Sequence, residues 1–160
     1  MVDIIDNFLT KEEFDIAWEA IKNINWSKKF SSINRHEIDI PFLFNKFCIE
    51  ESEDYTCSVT RMDNDINASM KWHKDIYDQK VGIKLKPGQE WIGKAVQWLI
   101  YMGGDFTGGI LQTRTGDIEP KTNRFVILDP FLEEHNVTRV SGFRYSLNGF
   151  IYKYGTKTNE

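Results

Sequence analysis

Apolar positions recur along the chain with two different periods, and the change of period divides it. Ile4, Ile5, Phe8 and Leu9 make a short apolar opening, expected as an edge strand that leads into a helix. Thr10 and Glu13 have the spacing of a capping box, which satisfies two backbone N–H groups at a helix start. Phe14, Ala17, Trp18 and Ile21 follow at helical spacing, with Lys11, Glu12, Asp15, Glu19 and Lys22 elsewhere on the wheel, and Asn23 and Asn25 mark the end. The pattern predicts an amphipathic helix covering one face of a sheet. Residues 26–53 show no clear period, with a strand or short helix expected near Pro41. His36, among Asn34, Arg35 and Glu37, reads as an exposed loop histidine.

From Asp54 the period becomes two. Tyr55, Cys57 and Val59 alternate with Thr56, Ser58 and Thr60. Asp63 to Asn67 is turn chemistry, and Met70, Trp72, His73 and Asp75 fall on the next expected strand. Residues 76–93, punctuated by Lys86-Pro87-Gly88, read as a lid, a binding loop or a small hairpin, with closure over substrate as the expectation. Ala95 to Met102 is the most apolar strand, and Gly103-Gly104 and Gly108-Gly109 bracket a turn. Ile110-Leu111 opens a strand, Asp117 to Lys121 is a loop, and Arg124 to Leu128 is a buried strand stopped by Asp129-Pro130. Val137 and Val140 belong to the strand after His135, and Tyr145 to Tyr154 form a long last strand. One helix followed by about eight short strands between glycine turns predicts a mainly β fold with N-terminal helix support, built as a sandwich or barrel. A jelly-roll barrel brings strands distant in sequence to one mouth.

The chain has 160 residues, room for a single domain with its own core. We expect residues 1–53 to form a helical support region and 54–154 the jelly-roll core. The formal net charge of −4 and the lack of a basic run argue against a nucleic-acid partner. Two cysteines, Cys48 and Cys57, make no disulfide framework and read as free buried thiols. No segment approaches the roughly 20 apolar residues of a membrane helix, and Met1 to Asp6 carries no secretory pattern, so a cytoplasmic protein is expected.

The candidate chemistry lies between His73 and Arg144. On a strand, His73 and Asp75 point the same way and Lys74 points away. An imidazole and a carboxylate side by side are two legs of a metal site, and His135 is the natural third, one of only three histidines. Two histidines and one carboxylate, with other positions open, form the facial triad of non-heme Fe(II) oxygenases. Arg144, nine residues past His135, is placed to clamp a carboxylate. Each residue also has a plainer reading: His73 and Asp75 as a surface pair, Arg144 as a bridge to Asp129 or Glu134.

The ordered pieces Trp72-His73-Lys74-Asp75, Leu99-Ile100-Tyr101-Met102, Gly108-Gly109-Ile110-Leu111, His135-Asn136-Val137 and Gly142-Phe143-Arg144-Tyr145-Ser146 resemble the Fe(II)- and 2-oxoglutarate-dependent dioxygenases, in their prolyl-hydroxylase-like branch. The resemblance implies a double-stranded β-helix, with Fe(II) bound by His73, Asp75 and His135, and with 2-oxoglutarate and O2 as cosubstrates. It puts Arg144 and Tyr101 on the distal carboxylate of 2-oxoglutarate. Leu111, Val137 and Asn148 line the cosubstrate pocket, and Phe150 stands where the family often has tryptophan. No catalytic residue beyond the metal site is implied. The sequence departs from the family in Met102-Gly103 after Tyr101, and at Met62 or Asp63, near where relatives can carry a tyrosine. The implied reaction is hydroxylation of a prolyl residue in a peptide or protein. The alternatives are a non-prolyl side chain, a small metabolite, or a non-catalytic jelly-roll binding module. Loops 26–50, 63–71 and 76–93 are expected to set specificity.

Overall fold

The computed structural model describes residues 2–26, 33–63, 71–75 and 83–158. Strand β1 (Asp3–Ile5) leads into helix α1 (Lys11–Lys22). The capping box forms as its spacing requires: Thr10 Oγ1 accepts from the Glu13 N–H at 3.2 Å, and Glu13 Oε1 accepts from the Thr10 N–H at 2.9 Å. Asn23 closes the other end, and Ala17 and Ile21 are buried beneath the helix. Strand β2 (Ile33–Glu37) and the short helix α2 (Phe42–Lys46) follow, then β3 (Glu53–Tyr55) and β4 (Ser58–Asp63). The remaining elements are strands: β5 (Gln89–Gly103), β6 (Phe106–Gly108), β7 (Leu111–Thr113), β8 (Gly116–Ile118), β9 (Phe125–Leu128), β10 (His135–Val137) and β11 (Val140–Thr156). Among the described residues no helix is long and apolar enough to cross a membrane.

The strands form two sheets. The larger has the order β1-β9-β5-β11-β4-β2, with β3 and β6 also paired to β11, and the smaller has the order β10-β7-β8. All pairs are antiparallel. This is the expected double-stranded β-helix. Alternation along β5 and β11 builds two cores from one sheet. Trp98, Ile100, Val59 and Leu147 face the helices and pack with Ala17, Ile21 and Leu43. Tyr101, Val126 and Leu128 face the other way and meet Leu111, Ile118 and Val137 of the smaller sheet. The helices thus seal one face, which leaves the interior between the sheets for the site.

Several elements differ from the sequence reading. Met70, Asn64 to Asn67 and residues 76–82 lie outside the described residues, so most of the expected turn and the first part of the expected closing loop do too. Residues 71–75 are not a strand: His73 alone makes a bridge, to His135, because no alternating apolar side chains commit this polar segment to a sheet. Strand β5 starts at Gln89, inside the stretch read as loop, and a register shift lets it keep pairing with the end of β11. Asp117 and Ile118, at the start of the loop expected over Asp117 to Lys121, belong to strand β8, paired with β7, while 119–121 are not strand. The alternating run from Tyr55 is split into β3 and β4, where Thr56 turns to hydrogen-bond Phe150 in both directions. Val137 and Val140, expected on one strand after His135, fall on separate strands, β10 and β11, and His135 itself opens β10. His36 sits on β2, half-buried edge-on against Trp26 at 4.8 Å. Both cysteines are free, but Cys48 is exposed and only Cys57 is partly covered.

Candidate active site

Three side chains from two segments converge at one mouth of the barrel. His135 opens β10, whose pairing with β7 sets His135 opposite Thr113 and Val137 opposite Leu111. His73 docks on it through two main-chain bonds, His73 N–H to His135 O at 3.0 Å and His135 N–H to His73 O at 2.9 Å. The Asp75 Oδ1 atom lies 3.1 Å from His73 Nε2 and 3.5 Å from His135 Nε2. The three candidate ligand atoms all fall within 4.8 Å of one another. The side-by-side placement of His73 and Asp75 is therefore found, although a single bridge rather than a strand provides it.

Each imidazole is oriented through its other nitrogen. His73 Nδ1 lies 2.7 Å from the Lys71 carbonyl and His135 Nδ1 lies 3.3 Å from the Glu133 carbonyl. A carbonyl only accepts, so both Nδ1 atoms carry the proton and both Nε2 lone pairs turn inward, as metal-binding histidines require. Burial holds the His135 imidazole below its ordinary pKa, with Asp75 opposing the shift, and this favours the neutral form that binds a metal. Two neutral imidazoles and a carboxylate, gathered on one side, fit a divalent ion with open positions.

The interior wall supplies the second half of the site. On β11, Arg144, Ser146, Asn148 and Phe150 share one face, and cross-strand register sets Ser146 beside Tyr101 and Asn148 beside Leu99. Arg144 is 4% exposed and has no carboxylate partner among the described residues. Its Nη1 donates to the Gly109 carbonyl at 2.5 Å, its Nη2 approaches Met62 Sδ at 3.0 Å, and its Nε has no partner there. Gly109 is needed at this point: its φ is +72°, and a Cβ would sit 3.0 Å from Arg144 Nη1. The guanidinium lies over the Tyr101 ring at 5.3 Å, and the Tyr101 hydroxyl is buried without a partner among the described residues. Burial raises the Tyr101 pKa against the pull of Arg144, so the phenol stays a donor. Burial likewise lowers the Arg144 pKa, yet a guanidinium remains charged at neutral pH. A buried cation and a buried hydroxyl with spare donors fit an anionic ligand such as a carboxylate.

The other expected pocket residues are also here. Leu111 and Val137 are buried beside Tyr101, while Asn148 is half-buried and donates to Thr60 Oγ1 at 2.7 Å. Of the two positions left open, Met62 faces the site, whereas Asp63 lies on the opposite face near Arg61, at 3.9 Å. Arg144 does not bridge to Glu134, which pairs with Arg114 at 2.8 Å. The sequence reading missed Gln97, whose amide nitrogen donates to Asp75 Oδ2. Its one visible signal was an amide inside the apolar run Ala95 to Met102.

A double-stranded β-helix with a His, Asp, His cluster at its mouth and a buried arginine within defines a metal-dependent oxygenase-type barrel. The family model for the 2OG-Fe(II) oxygenase superfamily matches residues 57–152, and the chain belongs to that superfamily. The family's cofactor is Fe(II) and its cosubstrate is 2-oxoglutarate. No curated protein matches the chain by sequence. Among solved structures, it is similar to the viral collagen prolyl hydroxylase of Paramecium bursaria Chlorella virus-1 in complex with 2-oxoglutarate. That likeness has 17% identity and a TM-score of 0.61, over 95% of this chain and 96% of that one. A prolyl hydroxylase from Trichoplax adhaerens, in complex with a hypoxia-inducible-factor peptide fragment, aligns at 14% identity and TM-score 0.68, over 95% and 83% of the two chains. HygX from Streptomyces hygroscopicus, with nickel, 2-oxoglutarate and hygromycin B bound, aligns at 12% identity and TM-score 0.59, over 95% and 82%. At these identities the likeness is one of fold.

Proposed function

We propose that the protein is a prolyl hydroxylase acting on a peptide or protein, with His73, Asp75 and His135 binding Fe(II). Arg144 and Tyr101 take the distal carboxylate of 2-oxoglutarate, and Leu111, Val137 and Asn148 shape the space around it. The bound iron and cosubstrate supply the oxidation: 2-oxoglutarate and O2 give succinate and carbon dioxide, and one oxygen atom goes to a C–H bond. The protein's residues do the positioning. Arg144 and Tyr101 orient the diacid, the Lys71 and Glu133 carbonyls aim the imidazoles, and the apolar walls Leu99, Leu111 and Val137 exclude water. The observation that carries this reading is Arg144: a buried cation without a carboxylate partner among the described residues, facing the barrel interior.

The same face of β11 continues past Arg144 into a groove of about 750 Å³. Asn148 and Phe150 line it, and we assign it to the prime substrate. Lys86 pairs with Asp54 at 2.6 Å and Lys84 with Glu37, and the other two charges on its wall, Arg35 and Asp39, are of opposite sign, so it presents little net charge. A neutral, proline-bearing stretch of peptide suits such a surface better than a strongly charged one. The prolyl hydroxylases among the structural relatives, one of them in complex with a peptide fragment, support this substrate class. HygX, in complex with hygromycin B, supports a second reading, in which the groove takes a small polar metabolite. We treat the described chain as one domain, in a reducing cytoplasm that suits Fe(II), with neither nucleic acid nor membrane as partner.

The test is anaerobic addition of Fe(II) and then 2-oxoglutarate to the metal-free protein. A visible charge-transfer band of a chelated 2-oxo acid should form, and should be lost in His135→Ala. Iron binding without a band would overturn the oxygenase assignment and favour a binding module. Prolyl peptides that fail to accelerate succinate formation, where a small metabolite does, would overturn the substrate class.

A further inference from the structure

The two candidate histidines are oriented by backbone carbonyls, which any residue at positions 71 and 133 would provide. Asp75 is different: among the described residues, its outer partner is the Gln97 side chain. A carboxylate only accepts, so the amide nitrogen of Gln97 faces it and the amide oxygen faces away. That oxygen, Gln97 Oε1, is buried and has no hydrogen-bond partner among the described residues. An unpartnered buried acceptor is unfavourable, and a leucine or methionine here would fill the space without it. The position keeps an amide for what its other end does.

The two oxygens of Asp75 are used differently. Oδ1 faces both histidine Nε2 atoms, at 3.1 and 3.5 Å, while Oδ2 accepts from Gln97. A carboxylate free at both oxygens can close on a metal through both and occupy a position otherwise left open. We propose that Gln97 is a positioning residue that ties up Asp75 Oδ2, so that Asp75 gives a metal a single oxygen and a coordination position stays available. Gln97 sits two and four residues before Leu99 and Tyr101 on the same face of β5, so one rigid strand sets the spacing between metal and carboxylate clamp. This inference rests on the proposed metal site.

The experiment titrates the metal-free full chain with Co(II), read by its visible d–d bands, and with Mn(II), read by electron paramagnetic resonance. His135→Ala and Gln97→Leu are compared with wild type, with Gln97→Met as a second variant of matched bulk. Gln97→Leu should fold, melt no lower than wild type without metal, change the Co(II) band envelope as the freed Asp75 Oδ2 joins the coordination, and shift Mn(II) affinity by about tenfold or more. Binding of unchanged affinity and spectrum in Gln97→Leu, with wild-type binding lost in His135→Ala, would overturn the role of Gln97 alone. Wild-type binding that survives His135→Ala would overturn the metal site beneath it. Loss of fold in both apolar variants would make Gln97 a structural residue and also overturn the proposal.

Discussion

Replacing Arg144 with methionine should separate cosubstrate binding from stability and move them in opposite directions. Arg144 is 4% exposed, is held by the Gly109 carbonyl and Met62 Sδ, and has no carboxylate beside it among the described residues. Hydrogen bonds to a charged group are worth about 1.5–3 kcal/mol each. A carboxylate meeting this fork should therefore lose about 3 kcal/mol when the fork is removed, or roughly a hundredfold in affinity. For the fold the sign reverses. Burying a cation costs several kcal/mol, and an apolar side chain of similar length removes that cost. Part of the gain is offset because the Gly109 carbonyl loses its donor. The expected melting temperature without ligand is unchanged or higher, by about 2–4 °C per kcal/mol for a chain of this size. The assay is a titration of Mn(II)-loaded protein with 2-oxoglutarate, followed by tryptophan fluorescence, beside a thermal melt without ligand. Wild-type affinity in Arg144→Met would refute the clamp. A sharply lower melting temperature with unchanged affinity would recast Arg144 as a packing residue.

Other expectations follow from single features. Gly109→Ala should destabilise by about 1–3 kcal/mol in urea denaturation, because a Cβ would meet Arg144 at a positive φ; unchanged stability would refute that strain. Burial pushes the Cys57 thiol up to about 12, while Cys48 is exposed, so at pH 8 a thiol reagent should label Cys48 alone until the chain is unfolded. Rapid labelling of Cys57 in the folded protein would contradict this. Burial alone would raise the Asp54 pKa, but hydrogen bonds from Lys86, the Tyr55 N–H and Gln89 override it and hold it low. A lowered folded pKa gives stability that is complete above the unfolded value of about 3.9 and lost as pH falls through the folded one. The stability gap between wild type and Asp54→Asn should therefore narrow in acid, and a gap independent of pH would count against it.

The parts legible in the sequence were those set by local chemistry. The capping box at Thr10 and Glu13 and the period of Phe14, Ala17, Trp18 and Ile21 gave α1 almost to the residue. The apolar runs around Leu99, Val126 and Leu147 marked three strands of the larger sheet. The side-by-side placement of His73 and Asp75 was legible because side chains two apart on extended backbone share a face whether or not a ladder forms. Contacts that depend on register were not legible. Gln97 reaches Asp75 across 22 residues, and Arg144 reaches Met62 across 82. Strand β2 carries too few alternating apolar residues to declare itself, and its pairing with β4 makes it a strand. The same holds for β8, a three-residue strand that exists through β7.

The bridge between His73 and His135 also bears on the energetics of the whole chain. Two main-chain hydrogen bonds join segments far apart in sequence, and an ion shared by His73, Asp75 and His135 would reinforce that joint as a cross-link closing a loop of roughly 60 residues. Loading the site then amounts to stapling the polar segment 71–75 to the smaller sheet. The cofactor would act as a folding ligand, lifting the melting temperature with concentration and slowing amide exchange at His73 and His135 before any turnover begins.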